Sequence, residues 1–110
     1  MNLPPEPRMY LILREDLAYK YIQGGHALAQ YALEHSIEFT EWNNQYLICL
    51  SVFNGLELRD IENRLTENGV VFSGFVEPDL ESPLPTALCL FDDGKNGYRH
   101  LLKDLRLATK

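Results

Sequence analysis

Hydrophobic and polar residues are distributed along the chain in blocks that predict short buried strands and amphipathic helices. Residues 9–13 and 46–53 are nearly continuous apolar runs with the length of strands buried on both faces. Apolar residues recur at helical spacing in two other segments. The predicted strands are residues 9–13, 46–53, 70–76 and 86–91, and the predicted helices begin near residues 23 and 58.

The order strand, helix, strand, helix, strand, strand predicts a three-layer α/β domain. We expect a mixed, mainly parallel four-stranded sheet with helices on both faces. The first two strands should be parallel, the last two antiparallel, and residues 46–53 should lie near the centre of the sheet. Residues 68–69, Asn-Gly, supply the left-handed conformation that commonly ends a helix.

Length and composition predict one soluble domain. The 110 residues suit a single domain spanning residues 1–110, with residues 1–7 as a flexible proline-rich lead. No apolar run approaches the roughly 20 residues of a membrane helix, and the N terminus lacks the pattern of a signal peptide. Cys49 and Cys89 lie within apolar runs, so both should be reduced core residues. We therefore expect a cytoplasmic protein without membrane contact.

The charge distribution limits the partners that the chain can attract. A net charge of −6 argues against a generally basic nucleic-acid binder and against an anionic membrane surface. Residues 94–110, here called the basic C-terminal segment, carry +4, whereas residues 1–93 carry −10. This segment is either a local contact for nucleic acid or the solvated face of a short helix. The packed side of that helix would be Tyr98, Leu101, Leu102 and Leu105.

The motifs of phosphate-binding loops, serine hydrolases and zinc hydrolases are absent from the chain. The three histidines lack the spacing of metal ligands, so we expect no catalytic metal. Two polar segments remain. Residues 23–26, Gln-Gly-Gly-His, open the first predicted helix, and residues 77–79, Glu-Pro-Asp, follow the third strand. The predicted architecture brings both segments to the same side of the sheet.

His26 and the acidic residues are the candidates for catalysis. At a helix start, the positive end of the helix dipole favours a neutral imidazole, which suits His26 as a general base. Alternatively, His26 packs on the helix and bonds to the backbone. Glu77 and Asp79 flank a proline, so they either point into one crevice, where a carboxylate holds an imidazole or a water, or belong to a surface turn.

Five other residues are candidates for substrate binding, and one of them is Tyr19, which precedes the predicted helix. Gln23 either orients a substrate carbonyl or water, or is an ordinary polar residue of a helix start. Gly24 and Gly25 suit a first turn where a ligand or another chain comes close to the backbone. Thr86 either directs its hydroxyl at the same crevice or is merely a strand-forming residue.

These residues carry a resemblance to the type 2 peptidyl-tRNA hydrolase family, which occurs in archaea and eukaryotes and has bacterial and phage relatives. Residues 9–17, Met-Tyr-Leu-Ile-Leu-Arg-Glu-Asp-Leu, are similar to the opening strand of the family, and residues 22–27, Ile-Gln-Gly-Gly-His-Ala, to its first helix start. Trp42 before the second strand also fits. Residues 77–79 and 86–90 resemble the acidic residue after the third strand and the strand that follows.

The resemblance implies an activity and a site. Members of the family cleave the ester between a peptide and the 3′ ribose of tRNA, without a metal or organic cofactor. The implied active crevice contains Gln23, His26, Thr86 and an acidic group from Glu77 or Asp79. In this chain, Tyr19 occupies the place of the family's catalytic lysine and Lys20 is adjacent. Lys20 or the backbone N–H groups of the helix start would hold the developing oxyanion.

Two functional hypotheses follow from the sequence. The first is hydrolysis of peptidyl-tRNA by water activated at His26, with tRNA as the partner. The second is a noncatalytic relative that binds RNA, a nucleotide or a protein, which the missing lysine and the acidic composition favour. A homodimer is compatible with both hypotheses.

Overall fold

The computed structural model describes residues 6–95 and 97–109, so most of the predicted lead, residues 1–7, lies outside it. The strands are β1 (Arg8–Arg14), β2 (Tyr46–Val52), β3 (Phe72–Phe75), β4 (Ala87–Asp92) and β5 (Arg106–Leu107). The helices are α1 (Lys20–Glu34), α2 (Ser36–Trp42) and α3 (Gly55–Glu67), with a short 3₁₀ helix at Tyr98–Leu101. No helix in these two ranges is long and apolar enough to cross a bilayer.

The described strands form one mixed sheet in the order β3-β4-β1-β2-β5. β1 and β2 are parallel, whereas β1–β4, β3–β4 and β2–β5 are antiparallel. The α/β class is therefore correct, as are the parallel first pair and the antiparallel last pair. The prediction of a four-stranded, mainly parallel sheet is wrong, because the sheet has five strands and most of its pairs are antiparallel.

The reason for this error is the position of β4. The register places β1, β2 and β3 in the same direction, as helical crossovers require. β4 runs in the opposite direction and inserts between β1 and β3, so the adjacent pairs on that side are antiparallel. The relative directions of consecutive strands could be predicted from the sequence, whereas the order of the strands across the sheet could not.

β1 is the central strand, and β2 is central only in its second half. Residues 9–14 of β1 are buried on both faces, as the continuous apolar run predicted. β5 pairs with β2 only at Leu50 and Ser51, and Tyr46 and Leu47 at the other end of β2 are 54% and 44% exposed. The prediction that residues 46–53 lie near the sheet centre therefore holds for the end of β2 alone.

The helices cover both faces of the sheet, as predicted. α3 packs on one face, where Leu58, Ile61 and Leu65 join a core cluster with Ile12 and Leu88. α1 and α2 cover the other face through a second buried cluster. That cluster contains Met9, Leu11, Leu13, Ala27, Tyr31, Trp42, Ala87, Cys89 and Phe91.

Local signals explain the bounds of α3. The Asn54 side chain accepts a hydrogen bond from the Glu57 backbone N–H at 3.0 Å, which caps the helix N terminus. At the other end, the Val70 N–H donates to the Leu65 carbonyl and Gly69 has φ +68°, the arrangement of a Schellman motif. Gly69, and not Asn68, adopts the predicted left-handed conformation.

Two segments have a secondary structure that differs from the prediction. Residues 40–44 belong to none of the predicted elements, yet they begin inside α2 and end at Asn43 and Asn44, which both have positive φ. The basic C-terminal segment forms a 3₁₀ turn and the short strand β5 instead of one helix. Its packed side is nevertheless correct, because Leu102 is buried and Tyr98, Leu101 and Leu105 pack against the α3 cluster.

Replacing Leu88 by Ala tests the core that supports this fold. Leu88 is 0% exposed on β4 between the two neighbouring strands. We expect L88A to lower the free energy of unfolding by about 2 to 5 kcal/mol, because the substitution removes buried methyl groups and leaves a cavity. Urea denaturation measures the loss. In the matched control Leu56→Ala, where Leu56 is 68% exposed, the change should stay below about 0.5 kcal/mol; equal losses would contradict this core assignment.

Candidate functional site

The candidate site is a cleft of about 360 Å³ between the start of α1 and the loop that follows β3. It is lined by Leu17, Ala18, Tyr19, Gln23, Glu77, Asp79 and Leu80. The sequence segments 23–26 and 77–79 thus meet on one side of the sheet, at the end of β3 and the beginning of β4. The apolar wall formed by Leu17, Ala18 and Leu80 had no sequence signal, because these residues lie in turns without periodicity.

A chain of three hydrogen-bonded side chains anchors the cleft to the sheet. The Thr86 hydroxyl donates to Gln23 Oε1 at 2.7 Å, and Gln23 Nε2 donates to Glu77 Oε2 at 3.0 Å. A carboxylate only accepts hydrogen bonds, so the amide NH₂ of Gln23 must face Glu77 and its oxygen must face Thr86. Gln23 has one further amide hydrogen, which is available to a ligand in the cleft.

The two inner members of this chain are fixed by burial. Thr86 is 1% exposed and Gln23 is 8% exposed. The Thr86 backbone N–H donates to the Phe75 carbonyl at 2.7 Å, which ties the residue to the end of β3. The Gln23 amide is therefore held in one orientation at the cleft wall.

Glu77 is ionised at neutral pH. The hydrogen bond from Gln23 lowers the pKa of Glu77 most, followed by the hydrogen bond from the Asp79 backbone N–H, and His26 contributes a smaller electrostatic attraction. The Asp79 N–H lies 3.3 Å from Glu77 Oε1. Because Asp79 also lines the cleft, a substrate entering it meets two carboxyl groups and an apolar wall.

His26 lies beside the cleft and not in its lining. Its exposed ring stacks on Phe75, with the ring centroids 4.6 Å apart and the planes at 11°. Gln23 and His26 are three residues apart on α1, so both project from the same face of the helix. The prediction that His26 occupies a helix start is wrong, because α1 begins at Lys20 and His26 lies in the second turn, beyond the strongest part of the helix dipole.

Lys20 is engaged away from the cleft. Its ammonium group bonds to Glu15 Oε2 and lies 2.7 Å from Thr109 Oγ1. The hydrogen bond from Lys20 is the main reason why the pKa of Glu15 falls to about 2. Tyr21 also donates from its hydroxyl to the Thr109 carbonyl at 2.6 Å. Tyr19, in contrast, lines the cleft and is 70% exposed.

The two glycines have different surroundings. A Cβ atom on Gly24 would come within 2.7 Å of Leu13 Cδ2, so Gly24 allows α1 to approach β1 closely. Gly25 is exposed, and a Cβ there would meet no atom within 4 Å. The missing side chain of Gly24 is therefore explained by the packing of α1 against β1. At Gly25 the missing side chain leaves the surface of α1 near the cleft open.

The basic C-terminal segment is partly engaged in contacts of its own. Arg99 Nε donates to the buried carboxylate of Asp92 at 3.0 Å. The Arg106 guanidinium lies 4.3 Å from the centroid of the Phe53 ring. Lys95 and Lys103 are exposed. Phosphate contact through Arg99 would therefore require it to leave a buried partner.

Replacing Thr86 by Val tests the chain of side-chain hydrogen bonds. The substitution keeps the shape but removes the donor to the buried Gln23 oxygen. We expect T86V to lower the free energy of unfolding by about 1 to 3 kcal/mol, the cost of an unsatisfied buried acceptor. Chemical denaturation checks this value. Thr40→Val is the control, because the exposed Thr40 hydroxyl donates to the Ser36 carbonyl of the same helix and to no other described residue. If the free energy of unfolding falls no more in T86V than in the control, the hydrogen bond from Thr86 does not hold the Gln23 side chain in place.

Comparisons with known proteins define a fold and no activity. No known family matches the chain, and no curated protein matches it. The structure is similar to that of a protein of unknown function from Agrobacterium tumefaciens strain C58, with a TM-score of 0.68 and 16% sequence identity. The match covers 94% of this chain and 98% of the Agrobacterium protein. At this identity the likeness shows a shared α/β fold only.

Proposed function

We propose that this protein hydrolyses the ester of peptidyl-tRNA, as the resemblance to the type 2 peptidyl-tRNA hydrolases implies. The observation that carries the proposal is the chain from Thr86 through Gln23 to the ionised Glu77, which holds an amide donor and a carboxylate at the cleft. His26 projects from the same helix face next to this pair. A donor, a carboxylate and an imidazole are the groups that metal-free ester hydrolysis requires.

The proposed reaction uses one water and these three side chains. Glu77 orients the water, His26 accepts its proton, and the hydroxide attacks the ester carbonyl carbon. The free amide hydrogen of Gln23 stabilises the developing oxyanion. The bond to the ribose oxygen then breaks, and the His26 imidazolium returns the proton to that oxygen. The products are a peptide carboxylic acid, which loses its proton to the solvent, and tRNA with a free ribose hydroxyl.

The composition of the cleft restricts which part of the substrate it accepts. Glu77 and Asp79 repel phosphate, so the cleft suits the uncharged ribose and the acyl group, with apolar side chains against Leu17 and Leu80. The phosphates of tRNA would contact basic groups elsewhere. The exposed Lys95 and Lys103 of the basic C-terminal segment are suited to that contact.

A second candidate function is that of a noncatalytic module that binds RNA, a nucleotide or a protein. The observation in its favour is the position of Lys20, whose ammonium is bound by Glu15 and Thr109. The described residues that line the cleft include no lysine or arginine. Without a cation, stabilisation of the oxyanion depends on the Gln23 amide alone.

Incubation of purified protein with N-acetylated aminoacyl-tRNA separates the two candidates. We expect release of the N-acetyl amino acid at a rate well above spontaneous hydrolysis. Binding of tRNA is measured in parallel at low salt, where charged contacts are least screened. Binding without release would favour the noncatalytic module, and neither binding nor release would remove tRNA as a partner.

A further inference from the structure

A second cavity lies at the other end of β4 from Thr86 and shares no lining residue with the cleft. Its volume is about 140 Å³. Six of the residues that line it are Tyr31, Glu38, Glu41, Phe91, Asp93 and Tyr98. The cavity is therefore bounded by α1, α2, the end of β4 and the 3₁₀ helix, at the opposite end of β4 from the proposed hydrolytic site.

The lining of this cavity combines negative charge with aromatic rings. Glu38 and Glu41 come from successive turns of α2 and face the same cavity. The rings of two tyrosines and Phe91 provide apolar surface, and the two tyrosines add phenol oxygens. The described residues of the lining include no basic side chain. Carboxylates together with aromatic rings attract cations by charge and by the ring quadrupole.

Tyr31 gives an independent reason to expect a ligand. The residue is 1% exposed, and its hydroxyl makes no hydrogen bond to any residue within 6–95 or 97–109. Although Tyr31 is buried as a residue, its hydroxyl is not among the fully buried side-chain atoms that lack a partner, so the oxygen reaches the open space of the cavity that Tyr31 lines. Burial raises the pKa of Tyr31, and the neighbouring Glu38 and Glu41 raise it further. The phenol is thus neutral, and its oxygen is free to accept a hydrogen bond from a donor in the cavity.

We propose that this cavity binds an organic cation, a primary ammonium or guanidinium group on a short aliphatic chain. The Tyr31 oxygen accepts one N–H bond, Glu38 and Glu41 neutralise the charge, and the rings enclose the adjacent methylene groups. A metal ion is a poorer fit, because the described residues contain no group of three His, Cys, Asp or Glu arranged to hold one. The volume is below the roughly 300 to 1,000 Å³ of drug-sized pockets, so it accommodates one cationic head group.

An NMR titration with ethylguanidinium and ethylammonium tests this proposal. We expect saturable shifts in the signals of Tyr31, Tyr98 and Phe91. The double variant E38Q/E41Q should bind at least about tenfold more weakly. Tyr31→Phe, which removes only the phenol oxygen, should weaken binding by about threefold to tenfold. The control D60N/E67Q changes the net charge equally on exposed positions of α3 and should bind as the wild type does.

Three results would overturn the proposal. They are the absence of saturable shifts, equal weakening in the control and in E38Q/E41Q, and saturation by Mg²⁺ without competition from either organic cation. A further arm compares ethylguanidinium with arginine blocked at both ends. Tighter binding of blocked arginine would support a protein side chain as the natural source of the cation, and tighter binding of ethylguanidinium would support a free small molecule.

Discussion

His26→Ala is expected to lower the rate of peptide release from peptidyl-tRNA by about 100-fold to 10,000-fold, the range typical of general acid–base catalysis. In the proposed reaction, His26 accepts the proton of the attacking water and returns it to the leaving ribose oxygen. No other histidine lies beside the cleft among the described residues, so nothing replaces this function. The remaining rate would come from the Gln23 amide and from substrate binding.

Because His26 is exposed, its substitution tests catalysis separately from folding. Its ring contacts Phe75 on the surface, so the substitution should leave the fold intact, and the midpoint of thermal unfolding checks this. His100→Ala is the matched control, because His100 is exposed and, within residues 6–95 and 97–109, its ring bonds only to the Gly97 carbonyl of its own turn. If both variants release peptide at the wild-type rate, the proton transfer belongs to another group.

The sequence predicted the layers of the fold but not the arrangement of the sheet. Continuous apolar runs identified β1 and β2, and helical spacing identified α3 through Leu58, Ile61 and Leu65. These signals are local and depend on which faces are buried. The insertion of β4 between β1 and β3 depends on tertiary packing, and β5 is only two residues long, so neither has a periodic signal.

The candidate site was predictable only in part. Gln23, Glu77 and Thr86 were selected from two polar segments and a strand end, and the structure brings them into one chain of hydrogen bonds. The position of Lys20 was not predictable. Its partners are Glu15 and Thr109, and the second lies 89 residues away along the chain. A contact between residues so far apart in the sequence cannot be recognised from the local pattern of polar and apolar residues.

The two proposed functions place different requirements on the negative charge of Glu77 in the cleft. A noncatalytic module needs Glu77 only as a surface that binds or repels a ligand. A hydrolase needs its negative charge beside the water and the imidazole, where charge develops during the reaction. Removing the charge while keeping the shape of the side chain therefore has different consequences under the two proposals.

Glu77→Gln is the variant that removes this charge. Its amide oxygen still accepts the hydrogen bond from Gln23 Nε2, so the orientation of Gln23 is retained. The loss of the charge weakens the hold on the attacking water and the stabilisation of the His26 imidazolium. We expect release of peptide to fall by about 100-fold to 1,000-fold, the effect of removing one electrostatic contact from a transition state.

The rate of peptide release by E77Q, measured beside wild type and E81Q, tests the central claim most directly. Glu81 is an exposed residue of the same loop outside the cleft lining, so E81Q makes the same change in net charge without touching the site. The account predicts a fall of about 100-fold or more in E77Q, with E81Q equal to wild type. Equal release by all three proteins would contradict catalysis at this cleft.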